Sequence, residues 1–296
     1  MKKSLVFLAI IAFLLQINCM QSQEVFNKPK GGFKECTAVI YPYIIGMNLP
    51  GFKQKIFQMK YDDKGHIVEL NSFNSSGKGS KQTFKYNSKG NLIKTQSWDS
   101  TAKISKTMTQ KFDEAGNLIE TVESNSTGKL IQKQVYKNNA NGKKIEMLDY
   151  GKDEAIDSKT TYKYDEKGNL CEEIESSPDG KVDNRTIRKY NSKDQETEIS
   201  TYKANGTLSA KITNKYDSKG NKIEDSKNNG NGNIISKNSY KFNLKDQLIE
   251  KVEYEKGGSL SKKHIYKYDK FGNQIEEVIY SKSNKAEAKI KFVYSK

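Results

Sequence analysis

From residue 61 almost to the C-terminus, apolar and polar positions recur in a fixed order. Two aromatics one residue apart, such as Tyr162 and Tyr164, precede a polar turn, Asp165 to Asn169, and apolar positions and another aromatic follow. With the second aromatic as position zero, the anchors fall at residues 86, 112, 138, 164, 190, 216, 242, 268 and 294, a step of 26. Tyr61 lies one residue out of phase at the start, and Asn138 replaces one aromatic.

The position after the anchor is always Asp or Asn: Asp62, Asn87, Asp113, Asn139, Asp165, Asn191, Asp217, Asn243, Asp269. A short Asx side chain accepts backbone hydrogen bonds, and a left-handed residue three positions later closes a type I turn with a bulge. Glycine fills that slot in seven units. Asp194 and Asp246 stand in the other two, where some strain is expected because a side chain disfavours the left-handed region. The Asp/Asn alternation points to an ancestral duplication of a 52-residue block of two hairpins.

Seven residues beyond the anchor lies an aliphatic slot, as at Ile93, Ile119 and Ile249, with Cys171 in the same place; an apolar slot recurs at the tenth. Aromatics follow at the twelfth: Phe73, Trp98, Tyr150, Tyr202, Tyr254 and Tyr280. Spacing of two indicates strands, and the shift from odd to even positions indicates a bulge. A second turn falls near Gly77, Gly128, Gly180, Gly206, Gly232 and Gly258. Each unit is therefore a β-hairpin. The predicted fold is all-β, an antiparallel meander of about nine 26-residue hairpins. Open twisted sheets rarely exceed about ten strands, so the meander is expected to curl into a spiral or wrapped sheet. The twelfth-position aromatics and Cys171 are assigned to its core.

The ends differ from the array. Residues 1–22 have a basic start (Lys2, Lys3), an apolar stretch from Leu5 to Leu15 and a polar tail, the pattern of a secretory signal peptide. Cleavage after Ser22 and lipid attachment at Cys19 are the two ways it could be processed. Either places the chain outside the cytoplasm, secreted, periplasmic or at the cell surface, with no transmembrane span in the mature chain. Residues 23–52 carry Pro29, Pro42 and Pro50 and read as an N-terminal cap shielding the first hairpin; residues 53–296 are the repeat array.

The pattern Tyr-x-Tyr-Asp-x-x-Gly-Asn-Leu at 162–170, repeated in Tyr216-Asp217 with Gly220-Asn221 and in Tyr268-Asp269 with Gly272-Asn273, resembles the YD repeats of the RHS family. The resemblance covers residues 53–296, with a longer unit than is usual. Long members of that family wind a sheet into a shell around a toxin or an adhesion module, and short members are often exported proteins without assigned activity. The resemblance thus implies an exported short member that lacks a toxin domain.

The formal charge is +15, or +13 once Lys2 and Lys3 are removed. Such a balance favours polyanionic partners, of which anionic polysaccharide, lipopolysaccharide and anionic lipid suit an exported chain. The two histidines, His66 and His264, occupy repeat slots without nucleophile partners, so no catalytic residue is predicted. Lysines inside the Asp-x-x-Gly-Asn turns argue against calcium. No metal, nucleotide or other cofactor is expected. The candidate binding feature is the lysine before each anchor: Lys60, Lys85, Lys111, Lys137, Lys163, Lys189, Lys215, Lys241 and Lys267, a row on the face opposite the aromatic pair, one every 9.6 Å or about two strand spacings. Glutamates eight positions after the anchor, such as Glu69, Glu172 and Glu276, are expected to offset it. The expected function is a non-enzymatic, exported scaffold or binding module of the cell envelope or extracellular space, with anionic glycan as ligand. The alternative is an RHS-related effector-system component that shields or docks a partner protein.

Overall fold

The computed structural model describes residues 30–42, 53–74, 76, 77 and 79–296. The signal-peptide reading, Cys19 and most of the cap segment lie outside the described residues.

The chain forms twenty strands. The first five are β1 (Glu35–Pro42), β2 (Gln54–Tyr61), β3 (Ile67–Phe73), β4 (Gly79–Tyr86) and β5 (Leu92–Trp98). Next come β6 (Ile104–Phe112), β7 (Leu118–Asn125), β8 (Leu130–Asn138), β9 (Lys144–Tyr150) and β10 (Ile156–Tyr164). Then follow β11 (Leu170–Ser176), β12 (Val182–Tyr190), β13 (Glu196–Lys203), β14 (Leu208–Tyr216) and β15 (Lys222–Asn229). The last are β16 (Ile234–Phe242), β17 (Leu248–Tyr254), β18 (Leu260–Tyr268), β19 (Gln274–Ser281) and β20 (Ala286–Ser295).

The turns follow the predicted chemistry. At the anchor end the Asp165 amide donates to the Asn169 carbonyl (2.8 Å) and the Gly168 amide to the Asp165 carbonyl (2.9 Å). The Asp165 carboxylate also accepts from the Asn169 amide at 2.7 Å, four residues on. Asp194 and Asp246 do adopt left-handed φ, 59° and 58°. A reason for aspartate there lies in the preceding turn: Asp194 accepts from Lys167 (2.9 Å) and Asn169 (3.2 Å), and Asp246 from Lys219 (2.9 Å) and Asn221 (3.1 Å). The far-end turns repeat the geometry, with Ala102, Glu154 and Asn284 taking the left-handed slot where glycine is missing.

The bulge falls at the seventh position. Lys163 faces Glu172 and Tyr164 faces Leu170, which leaves Cys171 unpaired between them. This slot is not core, contrary to expectation: Ile223 and Ile275 are 37% and 36% exposed, and Cys171 is half-exposed with its thiol against the Lys163 carbonyl. The extra residue also reverses the facing of everything after it. The twelfth-position aromatics therefore share the face of the lysine row and not that of the anchor aromatics, which corrects their assignment to the core.

Closure is the second correction. The antiparallel meander is as predicted, but in place of a spiral or an open wrapped sheet it closes on itself as a barrel. β1 pairs with β2 along one edge and with β20 along the other, so the strands close a ring. Residues 35–42, expected to cover the first hairpin, are instead the closing strand of the same sheet. Cross-strand partners move two residues away from the anchor with each hairpin, as in Lys85 to Lys94, Thr109, Val122 and Lys133. Over ten hairpins that shear is about equal to the strand number, which gives a tilt of roughly 36° and, for a circular section, a backbone diameter of about 38 Å.

The apolar core sits at the seam. Cys36, Ala38, Ile40, Phe57, Met59, Tyr61, Leu70, Ile279, Ala288 and Ile290 form one buried cluster across β19, β20, β1, β2 and β3. Full burial of side chains like Phe57 and Met59 contributes about 1.5–3 kcal/mol each. Away from the seam the inward face is polar, with Gln82, Thr121, Gln134, Thr186 and Asp225 partly exposed. Among the described residues, the hydrogen bonds and ion pairs away from Lys30 join the same or neighbouring hairpins. A wall of twenty strands with such a lining surrounds a wet lumen.

Candidate functional site: the charged outer wall and the lumen mouth

The structure brings the nine lysines into one row on the outer wall near the anchor end. Alternation along each strand puts them opposite the inward anchor aromatics, and the hairpin register places Glu at position eight across from eight of the nine. Seven of the nine are ion-paired: Lys60–Glu69 (3.1 Å), Lys111–Glu120 (2.6 Å), Lys163–Glu172 (2.7 Å), Lys189–Glu198 (3.0 Å), Lys215–Glu224 (2.8 Å), Lys241–Glu250 (2.6 Å) and Lys267–Glu276 (2.8 Å). Lys137 faces Glu146 in register, whereas Lys85 faces Lys94.

Most of these carboxylates hold a second cation from the next strand. Lys81 reaches Glu69 (2.8 Å), Lys133 Glu120 (3.5 Å), Arg185 Glu172 (2.5 Å), Lys211 Glu198 (2.7 Å), Lys237 Glu224 (2.7 Å) and Lys289 Glu276 (3.6 Å). Each such triplet carries one excess positive charge. The flanking ammonium groups hold the Glu69 and Glu198 carboxyls down at about 2, with the Lys81 and Lys211 hydrogen bonds the leading causes. The glutamates are mostly shielded, yet the row lysines keep much of their side chains in solvent, 65% for Lys189. Two cations for each such glutamate leave the wall with excess positive charge.

The lumen has its own charged groups, which the sequence pattern did not single out because they do not recur. Arg188 bridges Glu173 (2.5 Å) and Glu196 (2.8 Å), and Tyr240 donates to Asp225 at 2.5 Å. Burial, with the Asp225 carboxylate beside it, pushes the Tyr240 hydroxyl well above its ordinary range. His264 lies between Glu277 (2.7 Å) and Glu253 (3.6 Å). His66 serves a turn, bonded to Asp62 and stacked on Tyr86. No group of three or more His, Cys, Asp or Glu converges as a metal site among the described residues.

At the anchor end the lumen opens into a cleft of about 1070 Å³ walled by Tyr216, Phe242, Tyr268, Tyr294 and Tyr61. The tyrosines are fixed by a repeated bond: Tyr216, Tyr268 and Tyr294 donate to the carbonyls of Glu196, Leu248 and Gln274 at 2.7–2.8 Å. Lys30 exchanges backbone bonds with the Asn273 amide beside the cleft. Burial raises the Cys36 thiol to about 12, so it sits in the cleft as an unreactive apolar group.

No family model matches the chain, and no curated protein matches it. Among solved structures it is similar to the Tc toxin complex TcdB2-TccC3, at 12% identity and a TM-score of 0.37 over 82% of this chain; it spans only 16% of that one. It is also similar to a porin-like protein from Bacteroides uniformis, at 9% identity and a TM-score of 0.40 over 90% of this chain and 99% of the other. A porin-like protein from Bacteroides vulgatus aligns at 12% identity, with a TM-score of 0.32 over 89% and 98%.

Proposed function

We propose that this protein is a non-enzymatic exported barrel, a short YD-repeat-like chain, that serves as a cell-envelope or extracellular scaffold and binds an anionic glycan on its outer wall. The observation that carries the reading is the charge ratio of the ladder, two cations to one carboxylate in six triplets. A wall with Lys and Glu in most hairpins also suits water and polar partners better than lipid, since Lys on the lipid face of a barrel costs roughly 2–4 kcal/mol at mid-membrane. What the ladder offers a ligand is a regularly spaced series of ammonium groups. The protein passed over an immobilised anionic polysaccharide is expected to be retained at low ionic strength and released as salt rises. Absence of retention at low salt would refute the reading.

The polar lumen supports a second reading, in which the barrel shields or docks a partner protein as part of an RHS-related effector system. Its test is purification from the native source: a stoichiometric second polypeptide that resists high salt would favour enclosure over the outer wall.

A further inference from the structure

The twelfth-position aromatics, displaced to the outer wall by the bulge, stand beside lysines from the neighbouring strands. On the seam side of the barrel this arrangement has no gap. Lys237 of β16 lies over Tyr254 of β17 (5.9 Å to the ring centre), and Lys263 of β18 over Tyr280 of β19 (5.1 Å). Lys291 of β20 covers Tyr41 of β1 (5.5 Å), Lys55 of β2 covers Phe73 of β3 (5.2 Å), and Lys81 of β4 covers Trp98 of β5 (5.6 Å). Cation and ring thus alternate over ten adjacent strands, a belt about 50 Å long with a period of about 12 Å once the two-residue shear per hairpin is included. On the opposite wall Ser124, Ser176 and Asn228 interrupt the series.

Two features of the belt leave it with excess positive charge. Lys55, Lys263 and Lys291, on consecutive even strands, form no ion pair among the described residues, although Lys291 faces Glu276 in register and helps to lower its carboxyl. At the β5 end, Lys85 and Lys94 face each other directly across the hairpin that carries Lys81 and Trp98. Like charges directly opposite each other destabilise a sheet. An anion bound along this side would relieve both.

We propose that the outer wall from β16 through the seam to β5 binds an acidic polysaccharide in which a charged sugar alternates with a neutral one. Apolar sugar faces pack against Tyr254, Tyr280, Tyr41, Phe73 and Trp98 while the acidic groups meet the intervening ammonium groups. This rests on the glycan reading given above and assigns it a place and a ligand chemistry. The cations also favour sugar acids over nucleic acid: the chain has 49 lysines and two arginines, and the two-pronged arginine that suits phosphate is absent from the belt.

Trp98 is the only tryptophan, so its fluorescence reports on the β5 end of the belt without labelling. Titration with hyaluronan oligosaccharides is expected to change Trp98 emission with a salt-dependent dissociation constant. Their neutral methyl esters should bind at least tenfold more weakly. The triple variant Lys55→Ala, Lys263→Ala, Lys291→Ala should lose at least tenfold in affinity, and its affinity should depend less steeply on salt. Circular dichroism checks that it folds, and Tyr280→Ala provides a milder second variant with an expected several-fold loss. Equal binding of the methyl ester, wild-type affinity in both variants, or tighter binding of oligo(dT) than of hyaluronan would each overturn the belt assignment. If both variants bind hyaluronan like the wild type while the protein keeps salt-dependent retention on anionic polysaccharides, the belt is wrong and the broader reading stands. Loss of all retention by the wild-type protein removes both.

Discussion

Glu198→Gln separates the two jobs of the outer ladder, because it should move stability and binding in opposite directions. Glu198 accepts from Lys189 (3.0 Å), Lys211 (2.7 Å) and the Ser200 hydroxyl (3.2 Å). Glutamine keeps the shape and one acceptor oxygen but removes the charge between two ammonium groups. Lys189 and Lys211 are 65% and 39% exposed, so each ion pair belongs to the weak, solvent-screened range, and losing both costs roughly 1 kcal/mol in total. In a barrel of this size that lowers the melting temperature by about 2–4 °C.

The same change frees two lysines on a wall that already carries excess positive charge. Retention on an anionic polysaccharide should therefore strengthen, with elution shifted to higher salt. Urea denaturation measures the first effect and a salt-gradient column the second. If Glu198→Gln left elution unchanged or moved it to lower salt, the ladder would be a device of folding alone, and the binding reading would lose its main support.

Other expectations follow from individual contacts. The depressed carboxyls of Glu69 and Glu198 contribute stability that is complete above the ordinary glutamate value of 4.5 and fades as pH falls towards about 2, so urea midpoints should drop through that window. Tyr268→Phe removes the bond to the Leu248 carbonyl and should cost about 1 kcal/mol by denaturation, a loss the fold tolerates because Phe242 already occupies the same slot one unit earlier. Asp194→Ala keeps the left-handed backbone but loses the Lys167 and Asn169 contacts, whereas Asp194→Gly relieves the backbone, so the alanine variant should be the less stable of the two. Deleting residues 139–190, one block of four strands, should leave a soluble sixteen-stranded barrel with a smaller radius by X-ray scattering; aggregation through open edges would contradict the closure argument below.

The local structure was legible because each turn states its own chemistry. An Asx residue, a left-handed slot and a strand period of two suffice to write the hairpin, the lysine row and its glutamate partners. The facing of the twelfth position was not legible in the same way. It depends on whether the seventh residue is counted into the pairing, and one unpaired residue moves Trp98 and Tyr254 from the inside to the outside. Aromatics on both faces of a strand give no composition signal to choose between these registers. The lumen groups Arg188 and Asp225 were missed for the opposite reason: they do not repeat, and their partners come from strands whose pairing must already be known.

Closure depends on what does not repeat. With shear growing by two residues per hairpin, the tilt is the same for any number of units and only the radius changes. The repeat itself therefore gives no reason to stop at twenty strands, and a meander of hairpins alone would end in two open edges. β1 resolves this by taking both edges at once, and its inward residues Cys36, Ala38 and Ile40 are small or aliphatic where repeat strands carry Thr, Asn or Gln. Among the described residues the buried apolar cluster lies at the seam, where it fixes a register on both sides. It is also where the outward aromatic and lysine positions run without interruption, because Tyr41 on β1 fills what would otherwise be a break between Tyr280 and Phe73. The strand that closes the barrel thus also completes the belt, and disrupting its edge pairing should abolish both together.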